Sequence, residues 1–194
     1  MRHSGSLTCV YRYSSANPVF RSLPFKLNLW YFFDVSKELF HLAQVNIFHL
    51  IEPLDSERLA DFVAAIDSVN SAAESAPGFI WRLKSEEGDD NSHDAFHWDR
   101  GGSAGVLTNM SVWTSFEALK DFVYSPLHLE VLRKKRNWSL RVAEATTALW
   151  WIPADSIPTI QDAESRVIDL RHNGPSAYAF DLSKKFDFVT MKSD

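Results

Sequence analysis

The chain has 194 residues, of which 45% are hydrophobic, and a formal net charge of −5. That is the length and composition of a single globular domain with a sizeable core, and it excludes disorder along the whole chain. Residues 1–33 hold Arg2, Arg12, Arg21 and Lys26 and no acid, so the remainder carries 16 basic against 25 acidic residues, a poor match for the clustered positive surface that nucleic-acid phosphates require.

Residues 1–38 are rich in Ser and Arg, contain Pro18 and Pro24, and show neither helical nor alternating periodicity until about Leu27. They read as an extension outside the fold. A transit peptide has this acid-poor, Arg-rich composition; a flexible tail and an upstream start codon are the competing readings, the last preferred because orderly patterning begins abruptly at Phe40. The run Trp30, Tyr31, Phe32, Phe33 is too apolar for water and would dock on the domain or a partner. Cys9 is the sole cysteine, which excludes an internal disulfide and points to a reducing, cytoplasmic compartment. Leu29–Phe33 is followed by Asp34, Lys37 and Glu38, and no apolar run approaches the roughly 20 residues of a membrane span.

From Phe40 to Leu50 the sequence alternates, with His41, Ala43, Val45, Ile47 and His49 on one face and Leu42, Gln44, Asn46 and Phe48 on the other, which predicts strand one. After Pro53, Asp55 is the cap candidate for a helix whose Leu59, Phe62, Val63, Ile66 and Val69 form one apolar face, stopped by Pro77-Gly78. Phe79–Leu83 predicts strand two. An acidic, Gly-rich connection from Lys84 to Gly105 leads to strand three, Val106–Trp113. Thr114-Ser-Phe-Glu117 reads as a capping box opening a second helix. Ser125-Pro126 is a fresh cap with Pro at the first helical position, so this helix breaks near Tyr124 and restarts toward Trp138. Ala148–Pro153 is strand four, and Thr159 caps a third helix through Ile160, Ala163, Val167 and Leu170 to Asn173-Gly174-Pro175. Tyr178–Phe188 is a candidate final strand.

This order is the ferredoxin-like βαββαβ arrangement, an α+β fold with both helices on one face of a four-stranded antiparallel sheet. The domain is expected over residues 39–182, with a tail at 183–194. Apolar and aromatic residues on both sides of the strands, such as Phe79/Trp81 and Val112/Trp113, leave the second face in need of a cover. A homodimer forming a dimeric α/β barrel meets that need, with the third helix as an appendage; the alternative is a monomer in which the region after Pro153 covers the face.

The blocks HLAQVN (41–46), APGFIWRL (76–83), NMSVW (109–113), the HxxVLRxxRxW pattern from His128 to Trp138, ALWWIPA (148–154) and Pro158-Thr159 together resemble an uncharacterised family of the dimeric α/β-barrel superfamily, collinearly from about His41 to Phe180. That superfamily includes antibiotic-biosynthesis-type monooxygenases, which work without metal, and haem enzymes such as chlorite dismutases and dye-decolourising peroxidases. Trp113, Ser115, Leu119, Phe122, His128, the basic run Arg133–Arg136 and Trp138 are more weakly similar to spheroidene monooxygenase, a haem-linked carotenoid oxygenase. The resemblance implies an oxygenase-type enzyme acting on a small hydrophobic or aromatic molecule, with haem as one option. A non-catalytic small-molecule-binding module and a cofactor-independent monooxygenase or isomerase are the alternatives.

Several residues carry candidate chemistry. His128 is the first choice, as a haem-iron ligand or an acid/base, against the plainer reading of a core histidine bonded to a backbone carbonyl. Gln44, Asn46, Asn109 and Ser111 alternate along strands one and three, so each pair shares a sheet face where amides and a hydroxyl would orient a ligand or donate to an oxyanion, unless they merely bond one another. Trp81, Trp113, Trp150 and Trp151 would line an aromatic pocket, or serve as core and interface residues. Arg82 and Arg133 would hold a carboxylate or a haem propionate. Arg133-Lys-Lys-Arg136 reads as a solvated helix face. His93, Asp94, His97 and Asp99 have metal-ligand residue types, but surrounding Gly, Asn and Asp predict a loop in which the spacing has no meaning. No Gly-rich phosphate loop, nucleophile elbow or HExxH motif occurs.

Overall fold

The computed structural model describes residues 39–84 and 95–188. The expectations placed on residues 1–38, on His93 and Asp94, and on the end of the tail lie outside the described residues.

Strand β1 (Phe40–Leu50) is central, pairing antiparallel with both β3 (Gly105–Trp113) and β4 (Thr147–Pro153), while β2 (Phe79–Arg82) pairs with β3. The sheet order is β2-β3-β1-β4. Helix α1 (Ala60–Glu74) connects β1 to β2, and α2 (Phe116–Val123) with α3 (Pro126–Lys134) connect β3 to β4. This is the ferredoxin-like α+β fold, followed by α4 (Ile160–Asn173).

Helix boundaries follow local chemistry with two corrections. A 3-10 turn, Glu57–Leu59, precedes α1, and its cap is Ser56 with no side-chain bond, not Asp55. Ser115, not Thr114, caps α2, its Oγ accepting from Ala118 N at 3.1 Å. Thr114 is instead opposite Gly78, whose φ of +81° and whose approach of 2.5 Å between a built Cβ and Thr114 Oγ1 admit no side chain. Ser125 and Pro126 do break the second helix: Ser125 Oγ accepts from His128 N, and Pro126 needs no N–H partner at the first position. Thr159 and Asp162 form a reciprocal capping box at the start of α4.

Directly opposed residues of antiparallel strands point to the same side, so the register sorts the sheet. One face carries Leu42, Gln44, Asn46 and Phe48 of β1 with their partners Trp113, Ser111, Asn109 and Leu107 of β3, and Trp151, Leu149 and Thr147 of β4. Helices α1 to α3 pack here. The opposite face carries Ala43, Val45, Ile47 and His49 with Val112, Met110, Thr108 and Val106, and with Trp150 and Ala148 of β4.

That opposite face is not bare. Ala163, Val167 and Leu170 of α4, together with Ala95 and Phe96, pack into one buried cluster with Val45, Ile47, Met110 and Trp150. The third helix is therefore a layer of the core and not an appendage, and the premise from which the homodimer was expected does not hold. Polar ties hold the cover in place. Arg171 of α4 donates from Nη1 and Nη2 to the two carboxylate oxygens of Asp99, each at 2.7 Å, and buried His49 donates from Nε2 to the Asp99 carbonyl at 2.8 Å. Burial is the largest single influence on the Asp99 carboxylate and works to raise it, but Arg171 and His49 together outweigh it and hold the group below its ordinary value. Glu164 Oε1 accepts from Phe96 N at 3.0 Å and from Trp98 Nε1 at 2.9 Å. Asp99 thus braces the fold, and among the described residues no cluster of His, Cys, Asp and Glu is placed to hold a metal.

The candidate final strand reduces to bridges: Phe180 exchanges backbone bonds with Leu149 at 2.7 and 2.9 Å, and Asp181 pairs with Lys184. Among the described residues no helix is long and apolar enough to cross a membrane.

Candidate functional site

Polar residues interrupt the helix-side face of the sheet where a closed core would need Leu or Val, and a cavity of about 350 Å³ opens there beneath α1, α2 and α3. Its floor is Gln44 and Asn46 of β1, Asn109 and Ser111 of β3, and Thr147 of β4. Gln44 Nε2 donates to Asn109 Oδ1 and to Ser111 Oγ, both at 3.2 Å, and Trp113 Nε1 donates to the same Ser111 Oγ at 2.9 Å. Thr147 Oγ1 donates to Asn46 Oδ1 at 2.9 Å. The cross-strand bonding expected as the plainer reading is therefore present, yet the row also faces open space.

The ends of the cavity differ. At one, Trp113 stacks on Phe122 with ring centroids 5.1 Å apart, and the His128 ring lies 4.9 Å from Phe122. His128 Nδ1 is 2.9 Å from the Val123 carbonyl, an acceptor, so Nδ1 carries the hydrogen. In the neutral ring Nε2 then holds a lone pair, and it has no protein partner among the described residues. Burial pushes His128 below its ordinary value and outweighs the Val123 bond, which acts the other way. The ring is therefore neutral and basic at Nε2 near pH 7, held in one tautomer by the carbonyl, the second-layer support typical of acid/base and ligand histidines. At the other end Phe48 and Phe62 approach at 5.7 Å, and the Lys135 ammonium lies 4.6 Å from the centre of the Phe48 ring.

The sequence-predicted residues divide clearly. Gln44, Asn46, Arg82, Asn109, Ser111, Trp113 and His128 line the cavity. Arg82 stands at its rim with Nε donating to Glu74 Oε1 at 2.7 Å, and that bond, reinforced by Lys84, holds Glu74 below its ordinary value. Trp81 and Trp150 do not line the cavity: both pack against the buried cluster of the opposite face, Trp150 within it and Trp81 partly buried at its side. A bulge between Phe79 and Trp81 makes this division, aiming Phe79 at Trp113 and Trp81 away from it. Trp151 is on the helix side but outside the cavity, its Nε1 donating to the Phe186 carbonyl at 2.8 Å. Arg133 is exposed on the outer side of α3. The missed residue is Lys135. It continues the stripe His128, Val131, Leu132, Lys135, at positions i, i+3, i+4 and i+7 of one helical face, a signal present in the sequence but hidden by reading the four basic residues as one solvated run.

Of the two residues expected to hold haem, His128 lines the cavity, whereas Arg133 is exposed on the outer side of α3 and is not part of the lining.

An antiparallel ferredoxin-like sheet, with a partly polar internal cavity between one face and its helices, defines an α+β domain with a cavity of small-molecule size. The chain belongs to the family described as a domain of unknown function, DUF3291, whose model matches residues 41–193, which bears out the family resemblance read from the six sequence blocks. No curated protein matches the chain. Among solved structures, SnoaB, a cofactor-independent oxygenase from Streptomyces nogalater, is similar at 17% identity over 60% of this chain and 95% of its own, with a TM-score of 0.37. A conserved protein from Methanosarcina mazei Go1 is similar at 12% identity over 61% and 96%, with a TM-score of 0.40. Rv0793 from Mycobacterium tuberculosis is similar at 16% identity over 58% and 92%, with a TM-score of 0.37.

Proposed function

We propose that the chain is a cofactor-independent enzyme of oxygenase or isomerase type, acting on a small aromatic or hydrophobic molecule in the 350 Å³ cavity. His128 carries this reading: its Nδ1–H is fixed on the Val123 carbonyl, and its lone-pair Nε2 belongs to a ring that lines the cavity. Such a group is a general base. Nε2 takes a proton from an acidic C–H or phenolic O–H of the substrate, leaving an enolate or phenolate. The Nδ2 amide groups of Asn46 and Asn109, whose Oδ1 atoms already accept from Thr147 and Gln44, are the donors nearest to hand for the developing oxyanion, while Trp113, Phe122, Phe48 and Phe62 enclose the apolar body. In the oxygenase outcome the carbanion carbon forms a C–O bond to dioxygen, the oxidant, and the peroxide takes back the proton held on His128 to give a hydroperoxide that loses water and leaves a carbonyl; in the isomerase outcome the carbanion is reprotonated at another carbon. A binding-only module would use the same cavity without proton transfer.

The test is turnover of a panel of polycyclic phenols and enolisable aromatic ketones in air, followed by oxygen uptake and by mass spectrometry for incorporated oxygen or isomerised product. His128→Gln is expected to lower kcat by about 10²–10⁴, the contribution of a positioned general base. An unchanged kcat in that variant would remove the base assignment. Binding of panel members with no turnover at all would favour the binding-only module.

A further inference from the structure

Charge in the cavity is unbalanced. Its lining contains two permanent cations, Arg82 and Lys135, and no Asp or Glu. Arg82 is paired with Glu74 at 2.7 Å, a carboxylate it shares with Lys84 at 3.2 Å. Lys135 has no carboxylate within salt-bridge distance among the described residues, and its ammonium lies over the Phe48 ring, 4.6 Å from the ring centre. The neighbouring cation, Lys134, points elsewhere and pairs with Glu130 at 3.1 Å. The Phe48 face is itself a favourable partner for the ammonium, but a ring accepts no ordinary hydrogen bond, so the ammonium donors stay open to an anion, and burial pushes Lys135 below its ordinary value.

Resting on the small-molecule reading above, we propose that the cavity takes an organic carboxylate, an aromatic or hydrophobic acid whose carboxylate is held by Lys135 and whose body extends toward His128. The helical stripe fixes the layout. Lys135, which caps the C-terminal end of α3, is seven positions after His128, a rise of about 10 Å, so the anionic group is at the opposite end of the molecule from the proton that His128 removes. Phe48 and Phe62 flank the carboxylate end, and Trp113 and Phe122 flank the reacting end. Lys135 is thereby a specificity-determining residue, selecting acids over neutral compounds of the same shape.

Matched probes test this on the full-length chain by calorimetry: 4-(2-naphthyl)butyrate against its neutral primary amide, and inorganic sulfate as a bare anion. The acid is expected to bind about tenfold more tightly than the amide, because the ammonium forms an ion pair with the carboxylate and only an ion–dipole hydrogen bond with the amide. Lys135→Met, which keeps the apolar stem, is expected to abolish that preference by weakening the acid far more than the amide, and Lys135→Arg to restore it. Sulfate is expected to bind at least tenfold more weakly than the acid. Equal affinities for acid and amide in the unmodified protein overturn the proposal and leave the cavity reading standing, a result that does not depend on whether the Lys135 variants fold. A preference that survives Lys135→Met also overturns it. Failure of both organic probes to bind overturns the carboxylate and the cavity readings together. His128→Gln should leave the acid preference intact, so loss of turnover and loss of anion selectivity report separately.

Discussion

At the scale of single residues, His128 combines two roles that were opposed in the sequence: it is bonded to a backbone carbonyl and it also lines a cavity. Its environment has a pH consequence. Burial lowers its folded-state value beneath the ordinary 6.5, so on acidification the unfolded chain takes up the proton first. Stability tied to the neutral ring is complete above about pH 6.5 and is lost as the pH falls through the interval down to the lower folded value. Denaturant melts at stepped pH should show the unmodified protein losing stability below pH 6.5 more steeply than His128→Gln, and parallel curves for the two would contradict the burial argument. Gln44, Asn46, Asn109 and Ser111 were legible as a shared face because strand alternation is rigid. Trp81 and Trp150 were not legible, because the face of a strand residue depends on register and on the bulge after Phe79, both set by the partner strand. Lys135 was hidden by its basic neighbours although its helical spacing from His128 was in plain view.

At the scale of elements, β1 to β4 and α1 to α4 were readable from periodicity and caps; the misplacements were cap positions, such as Ser115 for Thr114, and the expected final strand, which reduces to isolated bridges. What periodicity does not carry is the surface on which an amphipathic helix lies. The stripe Ala163, Val167, Leu170 announced a buried face on α4, but only the structure shows it seated on Val45, Met110 and Trp150. The same limit applies to the link through Glu164. Phe96 is fully buried with φ of 60°, a left-handed conformation that costs a side-chain-bearing residue about 1 kcal/mol or more, and its N–H is accepted by Glu164 Oε1. Glu164→Ala leaves that N–H and the Trp98 indole without their acceptor, with an expected loss of about 1–3 kcal/mol in denaturant unfolding. Gln in its place retains an acceptor oxygen and should lose about half as much. If Ala and Gln are equally mild, Glu164 does not hold the 95–99 segment.

At the scale of the whole molecule, the second sheet face decides the assembly. A ferredoxin-like sheet with one face open would bury it against a second copy, but here Ala43, Val45, Ile47, Met110, Val112, Ala148 and Trp150 are each at most 1% exposed within a single chain. Seating a second sheet on them would require α4 to leave and the bidentate Arg171–Asp99 pair, at 2.7 Å on both arms, to break. Removing one partner of such a pair strands the other charge, so the cover is held by polar as well as apolar terms. Light scattering of the full chain across a concentration series is therefore expected to show no dimer formed through this face. Val167→Asp, at a position 1% exposed, puts a charge into that layer and should lower Tm sharply without changing the mass of the folded species. If Val167→Asp instead leaves Tm unaltered and converts a two-chain species to a one-chain species, α4 is an interface element and the sheet face belongs to the assembly.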